Sequence, residues 1–265
     1  MSAGLALTVA ALVLAGARPA PQAADRMVKV GPGTVRSAYV TPGGEPQKVE
    51  AFLLDALPVT NADFLAFVRR NEGWRKDSVR RLYADAGYLG HWSGPLELGE
   101  AVSPKAPVTH VSWFAARAYC KSRGARLPTE LEWELAAAAS ATQKDAGGDP
   151  AFVSKILAWY SRPTPKTLPD VGQSEPNAWG VRDLHELVWE WVDDFGNSLI
   201  TADSRDPNNS DAMRFCGAGA IGAGDKNDYA AFMRSAFRSS LKGPFTVKNL
   251  GFRCARSLPL SGATP

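Results

Sequence analysis

Apolar residues recur every three to four positions in three stretches of the chain, and each stretch carries its own start signal. Phe64, Leu65, Phe67 and Val68 share one face of a helix predicted near residues 61–70, with Thr60 or Asn61 placed to accept the free backbone N–H groups at its start. Ser112 caps a second helix, whose apolar face carries Ala115, Ala116, Tyr119 and Cys120 and which ends before Gly124. A third begins at Thr129, where Thr129 and Glu132 form a capping box ahead of Trp133, Leu135 and Ala136. Residues 27–54 alternate instead in short stretches, MVKV and VEAFLLD, broken by the turn signals GPG and TPGGEP, and read as two or three strands. A last strand is expected over Asn249 to Arg256. From 141 to 180 and from 196 to 231 the periodicity is lost. Both segments read as long loops, of the kind that are functional or held by specific contacts.

Ahead of the first strand lies an apolar run from Leu5 to Ala17 that ends in the small-residue triplet Ala15-Gly16-Ala17 and then turns Pro-rich. This is the pattern of a secretory leader. The run holds about 13 residues against the roughly 20 that a membrane-spanning helix needs. No Lys or Arg precedes it, so a misassigned start or a buried N-terminal helix is the alternative. We expect a leader over residues 1–24, cleaved after Ala17 or within the stretch that follows, and a periplasmic or secreted protein without a membrane span.

The chain has 265 residues, 45% of them hydrophobic and 22% charged, which suits one domain over residues 25–265. Its 24 glycines, 19 prolines and eight tryptophans imply many turns and large aromatic plugs in place of long regular helices. The net charge of +3 arises from 30 basic and 27 acidic residues that are interspersed, with no basic stripe of the kind that tracks nucleic acid. Nucleic acid is therefore excluded as the expected partner.

Four segments in order, LPVTNADFLAF (57–67), VSWFAARAYCKSRGARLPTELEWELAAA (111–138), WGVRDLHELVWEWV (179–192) and NLGFRCAR (249–256), resemble the formylglycine-generating enzyme, or sulfatase-modifying factor, family. The most specific block is SW-x-x-A-x-x-YC-x-x-x-G-x-RLPTE-x-EWE. The resemblance implies an α+β domain, an elaborated relative of the C-type lectin fold with much irregular structure. Within these motifs Arg126, Glu130, Trp133, Glu134, Trp189 and Trp191 read as core plugs and buried ion-pair partners, because charges framing irregular buried loops have to satisfy one another.

The cysteines separate this chain from the enzymes it resembles. The family's disulfide implies a bond between Cys120 and Cys254. A second bridge of many relatives falls on Ala137 and Ser235, so both of its halves are absent together. The family's copper chemistry, which converts a peptide cysteine to formylglycine, uses two thiolates five residues apart upstream of the AAR motif. In one register those positions are Asp225 and Ala230, in the other Gly222 and Asn227. Neither supplies a thiol, and copper formylglycine-generating activity is expected to be absent. Cys216 is left over in RFCGAGAIGAGD and reads as reactive, as metal-binding or as a small buried hydrophobe.

By resemblance, the substrate groove falls on Cys216, Gly217, Gly219, Arg238 and Ser239, the candidate catalytic residues among them being Cys216, Arg238 and Ser239. The planar guanidinium of Arg238 suits a clamp on carboxylate or carbonyl oxygens, or an internal ion pair. The family's calcium site places an Asn where this chain has Leu187, so calcium is doubtful although Glu190 is retained. His185 and Glu186 match part of a zinc-protease motif but lack its second histidine. His91 and His110 read as isolated. The three histidines with Glu190, Asp193 and Asp194 offer the donors of an iron site, and His185 and Glu190 are the metal-ligand candidates.

Two functions follow. One is an exported maturation or accessory factor that holds a peptide or cofactor of a periplasmic partner without oxidising it. The segment FMRSAFRSSL…NLGFRCAR resembles the accessory proteins of copper nitrite reductase and favours this first reading. The other is an oxidoreductase with non-heme iron or other chemistry, resembling the family's pyoverdine-maturation branch.

Overall fold

A computed structural model of the chain describes residues 27–36, 45–195 and 226–259. The leader expected over 1–24 lies outside them, as do Cys216, Gly217 and Gly219. Residues 27–54 hold four short strands where two or three are predicted: β1 (Met27–Val30), β2 (Gly33–Val35), β3 (Gln47–Val49) and β4 (Phe52–Asp55). The stretch VEAFLLD, read as one strand, is split between Val49, which ends β3, and Phe52, which begins β4, while Gly31 at φ +78° makes the turn that GPG signals between β1 and β2. Antiparallel β2 and β3 form their own ribbon, while β4 pairs on one side with β1 and on the other with β7 (Ala255–Ser257).

Three helices form where their caps predict them. In α1 (Asn61–Arg70) the hydroxyl of Thr60 accepts from Asp63 N and the Asp63 carboxylate answers to Thr60 N. Ser112 caps α2 (Trp113–Ser122), and Thr129 with Glu132 closes the box of α3 (Glu130–Ala137). Two helices stand in segments that the periodicity leaves as loops. Asp149 caps α4 (Pro150–Tyr160), with Pro150 in the first turn where its missing N–H costs nothing. α5 (Lys226–Ser239) begins inside the second predicted loop.

The last predicted strand is interrupted. β6 (Leu250–Gly251) pairs in parallel with β5 (Trp189–Glu190), and β7 pairs with β4. Between them the chain changes partner, with the carbonyls of Phe252 and Cys254 accepting from Val59 N and Asp55 N at 2.9 and 2.8 Å. The result is a mixed α+β domain with little regular structure, and no helix among the described residues is long and apolar enough to cross a membrane.

Two apolar clusters make the core. One gathers Phe64, Phe67, Tyr119, Trp191 and Phe252 beneath α1 and α2. The other gathers the inward faces of β1 to β4 against Trp133, Leu135 and Ala136 of α3. Trp191 is fully buried and donates from its indole nitrogen to Val111 O at 2.9 Å, the plug its motif implies.

Cys120 and Cys254 are bonded, linking α2 to the irregular stretch between β6 and β7, 134 residues later. A cross-link over a loop of this length restricts the unfolded chain strongly. The Cys120→Ala/Cys254→Ala double variant is expected to lose about 2–4 kcal/mol of stability, read as a lower urea midpoint. Peptide mapping without reductant should return the 120–254 linkage and Cys216 as the alkylatable thiol; Cys216 within a bridge would overturn the assignment.

Candidate functional site

α3 and α5 face each other through charge. Glu130 and Glu134 lie one turn apart on α3, and Arg234 and Arg238 lie one turn apart on α5, so each pair presents both groups on one face. Arg234 grips Glu134 with Nε at 2.8 Å and Nη2 at 2.6 Å, and donates from Nη1 to Tyr160 Oη at 3.0 Å. Arg238 Nη1 reaches Glu130 at 2.9 Å and Glu134 at 2.7 Å, and its guanidinium carbon lies 4.7 Å from the centre of the Trp133 ring. All four charged side chains are buried. Burial pushes the Glu134 carboxyl up, but Arg234 and Arg238 outweigh it and hold it down to about 2. Glu130, with fewer bonds to its arginine, is pushed above the usual carboxylate range by burial. Glu134 is thus a fixed anion between two cations, unsuited to exchanging protons near neutral pH.

A second buried pair adjoins the first. Glu190 accepts from Arg253 Nε and Nη2, both at 2.8 Å, and from Trp133 Nε1 at 2.8 Å. Arg253 is fully buried and spends its remaining donors on the carbonyls of Asp55, Ala56 and Arg182. Glu190 is therefore committed to the core. With its oxygens taken and an apolar, buried Leu187 beside it, the residues present do not fit the family's calcium.

His185 donates from Nε2 to Ala137 O at 2.8 Å, which fixes its proton there because a carbonyl can only accept. Its Nδ1 is left as a shielded lone pair with no hydrogen-bond partner. The ring meets the edges or faces of Trp133 and Phe152 at 5.6 and 6.0 Å. Burial, with Arg234 nearby, draws its pKa down to about 4, so the imidazole is neutral at pH 7.

His91 and His110, isolated in sequence, are neighbours in space: their rings stack with centres 4.7 Å apart. His110 takes φ +53°, a conformation uncommon for a side-chain-bearing residue. Burial, then the neighbouring His110 and Lys76, draw His91 down to about 4. Asp193 pairs with Arg117 at 3.3 Å, and Asp194 accepts from Glu130 N at 2.7 Å. Among the described residues no three His, Cys, Asp or Glu side chains come together, so the iron donors proposed from the sequence are dispersed there.

Of the predicted groove, Arg238 and Ser239 are described. Arg238 takes the internal ion pair, and the half-buried Ser239 has an Oγ without a hydrogen-bond partner. Sequence reasoning missed Arg234 and Arg253 as the cations of the buried carboxylates. The matched one-turn spacings of α3 and α5 are the signal that could have found the first. It also missed two cavities, of about 390 and 700 Å³, that share Phe152, Ile156 and His185 as lining.

A model of the sulfatase-modifying factor enzyme 1-like domain matches residues 14–258. The formylglycine-generating enzyme of Streptomyces coelicolor is 32% identical over 258 residues, covering 82% of this chain and 82% of that protein. The inactive C-alpha-formylglycine-generating enzyme 2 of Bos taurus is 32% identical over 263 residues, covering 85% and 80%. Among solved structures, PvdO from Pseudomonas aeruginosa aligns over 88% of this chain and 94% of its own, at 20% identity and a TM-score of 0.47.

Proposed function

The chain belongs to the sulfatase-modifying factor enzyme 1-like domain family, and within it we propose an exported accessory factor that binds a peptide or cofactor of a periplasmic partner, such as a copper nitrite reductase, without copper oxidase chemistry. The observation that carries this reading is the thiol inventory. The chain has three cysteines, and Cys120 and Cys254 are consumed by the disulfide. One thiol, Cys216, is left, and a site built on two thiolates cannot be assembled from it. The residues present therefore do not fit the family's copper centre. A bovine relative at 32% identity that is named inactive supports the same direction.

Purified protein supplied with copper(I) and oxygen is expected to leave a Cys-x-Pro-x-Arg peptide unchanged in mass. Conversion of the peptide cysteine, dependent on this protein and on oxygen, would overturn the reading. The partner is tested separately by producing a copper nitrite reductase in the periplasm with and without this protein. A higher copper content or active fraction in its presence supports the assignment, and identical enzyme in both cases removes that partner. Intact mass of the same periplasmic material should lack the leader.

A further inference from the structure

Two turns stand side by side on the surface. In one, Tyr83 N donates to Arg80 O at 2.8 Å; in the other, Phe245 N donates to Lys242 O at 2.9 Å. The Phe114 ring of α2 joins them: its centre is 5.4 Å from that of Tyr83, and a Cβ at Gly243 would come within 2.8 Å of it. Asp85 N donates to Pro244 O at 2.9 Å and the Asp85 carboxylate accepts from Thr246 N at 3.2 Å, which fastens one turn to the other.

Both turns present apolar and cationic side chains to solvent. Three large apolar side chains are exposed among the described residues, and two of them are here: Leu82 at 66% and Phe245 at 36%. An exposed leucine alone is ordinary, but two apolar tips on adjoining turns make a patch. Arg80, Arg81 and Lys242 are exposed beside them, and no carboxylate among the described residues pairs with any of the three. Arg80 and Lys242 lie instead over the rings of Tyr83 and Phe245, each 5.9 Å from the ring centre. Residues 69–81 hold six cations against two carboxylates, a net charge of +4 in a chain whose total is +3. Those two carboxylates are engaged elsewhere, Glu72 with Arg75 at 2.7 Å and Asp77 with the Ser78 hydroxyl at 3.0 Å.

The occupant of such a face is anionic and has an apolar layer behind its charge. Neither of the two cavities reaches these turns, and no strand among the described residues runs through them. A peptide is held by a groove or a strand edge. A bilayer needs only protruding apolar tips with cations around them.

We propose that the two turns dock the protein on an anionic lipid surface, with Leu82 and Phe245 entering the boundary between headgroups and acyl chains and Arg80, Arg81 and Lys242 facing the lipid phosphates. Docking of this kind rests on the surface without spanning it, and is independent of the accessory role.

Co-sedimentation of the protein with vesicles tests it. Partition onto vesicles of phosphatidylglycerol and phosphatidylcholine in equal parts is expected to exceed that onto phosphatidylcholine alone by at least about tenfold, and to fall steeply with salt. Arg80→Gln/Arg81→Gln/Lys242→Gln should remove about tenfold or more of the binding. Lys29→Gln/Lys48→Gln/Lys166→Gln alters three exposed lysines elsewhere for the same loss of charge and should leave most of it. Leu82→Ser/Phe245→Ser should weaken binding severalfold, and Leu82→Ser alone decides that arm should the double variant fail to fold. Equal partition onto the two vesicle types, no binding to the anionic ones, equal losses in the two charge variants, or full binding without the apolar tips would overturn the proposal. Binding of poly-glutamate through the same three cations, with none to vesicles, would also overturn it and assign the face to an acidic protein segment.

Discussion

Glu134→Gln is expected to destabilise the protein by about 3–5 kcal/mol, because it removes the one anion shared by two buried cations. Arg234 spends Nε and Nη2 on Glu134, and Arg238 spends Nη1 on Glu134 and Glu130 together. After the substitution, two guanidinium groups face one carboxylate in a site closed to water. The new amide N–H₂ would also point at arginine donors that need acceptors. Exposed Glu72, paired with Arg75 at 2.7 Å, is the control, and Glu72→Gln should change stability by less than about 1 kcal/mol. Arg238→Lys addresses the same cluster from the other side, since a point charge cannot reproduce the guanidinium's lie over Trp133 while spanning both carboxylates. Urea midpoints at an unchanged slope would measure each effect. A loss below about 1 kcal/mol for Glu134→Gln would show that α5 is held by apolar packing and that the ion cluster contributes little.

The contrast between α3 and α4 explains what could be read from the chain. Thr129, Glu132 and the residues after them announce α3 locally, since a capping box depends on neighbours three positions apart. α4 lacks that contrast. Its exposed stripe, Ala151, Ser154, Lys155 and Ala158, is half alanine, while Phe152, Val153, Ile156, Leu157 and Trp159 face α5, the cavities and Trp189, so little polar contrast marks the period. The Asp149-Pro150 start was the available clue. The split of the last strand is non-local in the same sense: where β6 gives way to β7 is decided by β5 and β4, which lie far away in sequence.

The same division holds at the site. Glu130, Glu134, Trp133 and Trp191 were legible as buried partners because their motif frames irregular backbone. Which cation each carboxylate meets was not, since Arg234 stands 100 residues from Glu134 and Arg253 stands 63 from Glu190. The stacking of His91 on His110 is likewise set by the fold, with His110 at φ +53° and the ring centres 4.7 Å apart. The pairing of Cys120 with Cys254 was implied by the family's disulfide, and it leaves one of the three thiols.

Acidification from pH 7 to pH 4 is expected to remove on the order of 4–6 kcal/mol of stability through two histidines alone. His91 and His185 are each drawn from 6.5 to about 4, first by burial, then by His110 and Lys76 for one and by Arg234 for the other. The unfolded chain therefore takes up these protons first. Stability contributed by the neutral rings is fully present above pH 6.5, falls as the pH drops toward 4, and levels off once the folded rings also protonate. Below that, Glu134 continues the loss, since its carboxyl is held down to about 2 and the arginines lose their anion when it protonates. Glu130 and Asp194, raised by burial, bind protons more readily when folded and blunt the fall near the carboxylate range. Urea midpoints from about pH 7.5 down to about pH 2 would trace the curve, and the His91→Phe/His185→Phe double variant should flatten the part above about pH 4 while keeping the part below. A flat wild-type curve across that window, or a slope that survives in the double variant, would place the acid sensitivity elsewhere. Because the two histidines are drawn down to the same value, the single His91→Phe variant should lose about half of the slope.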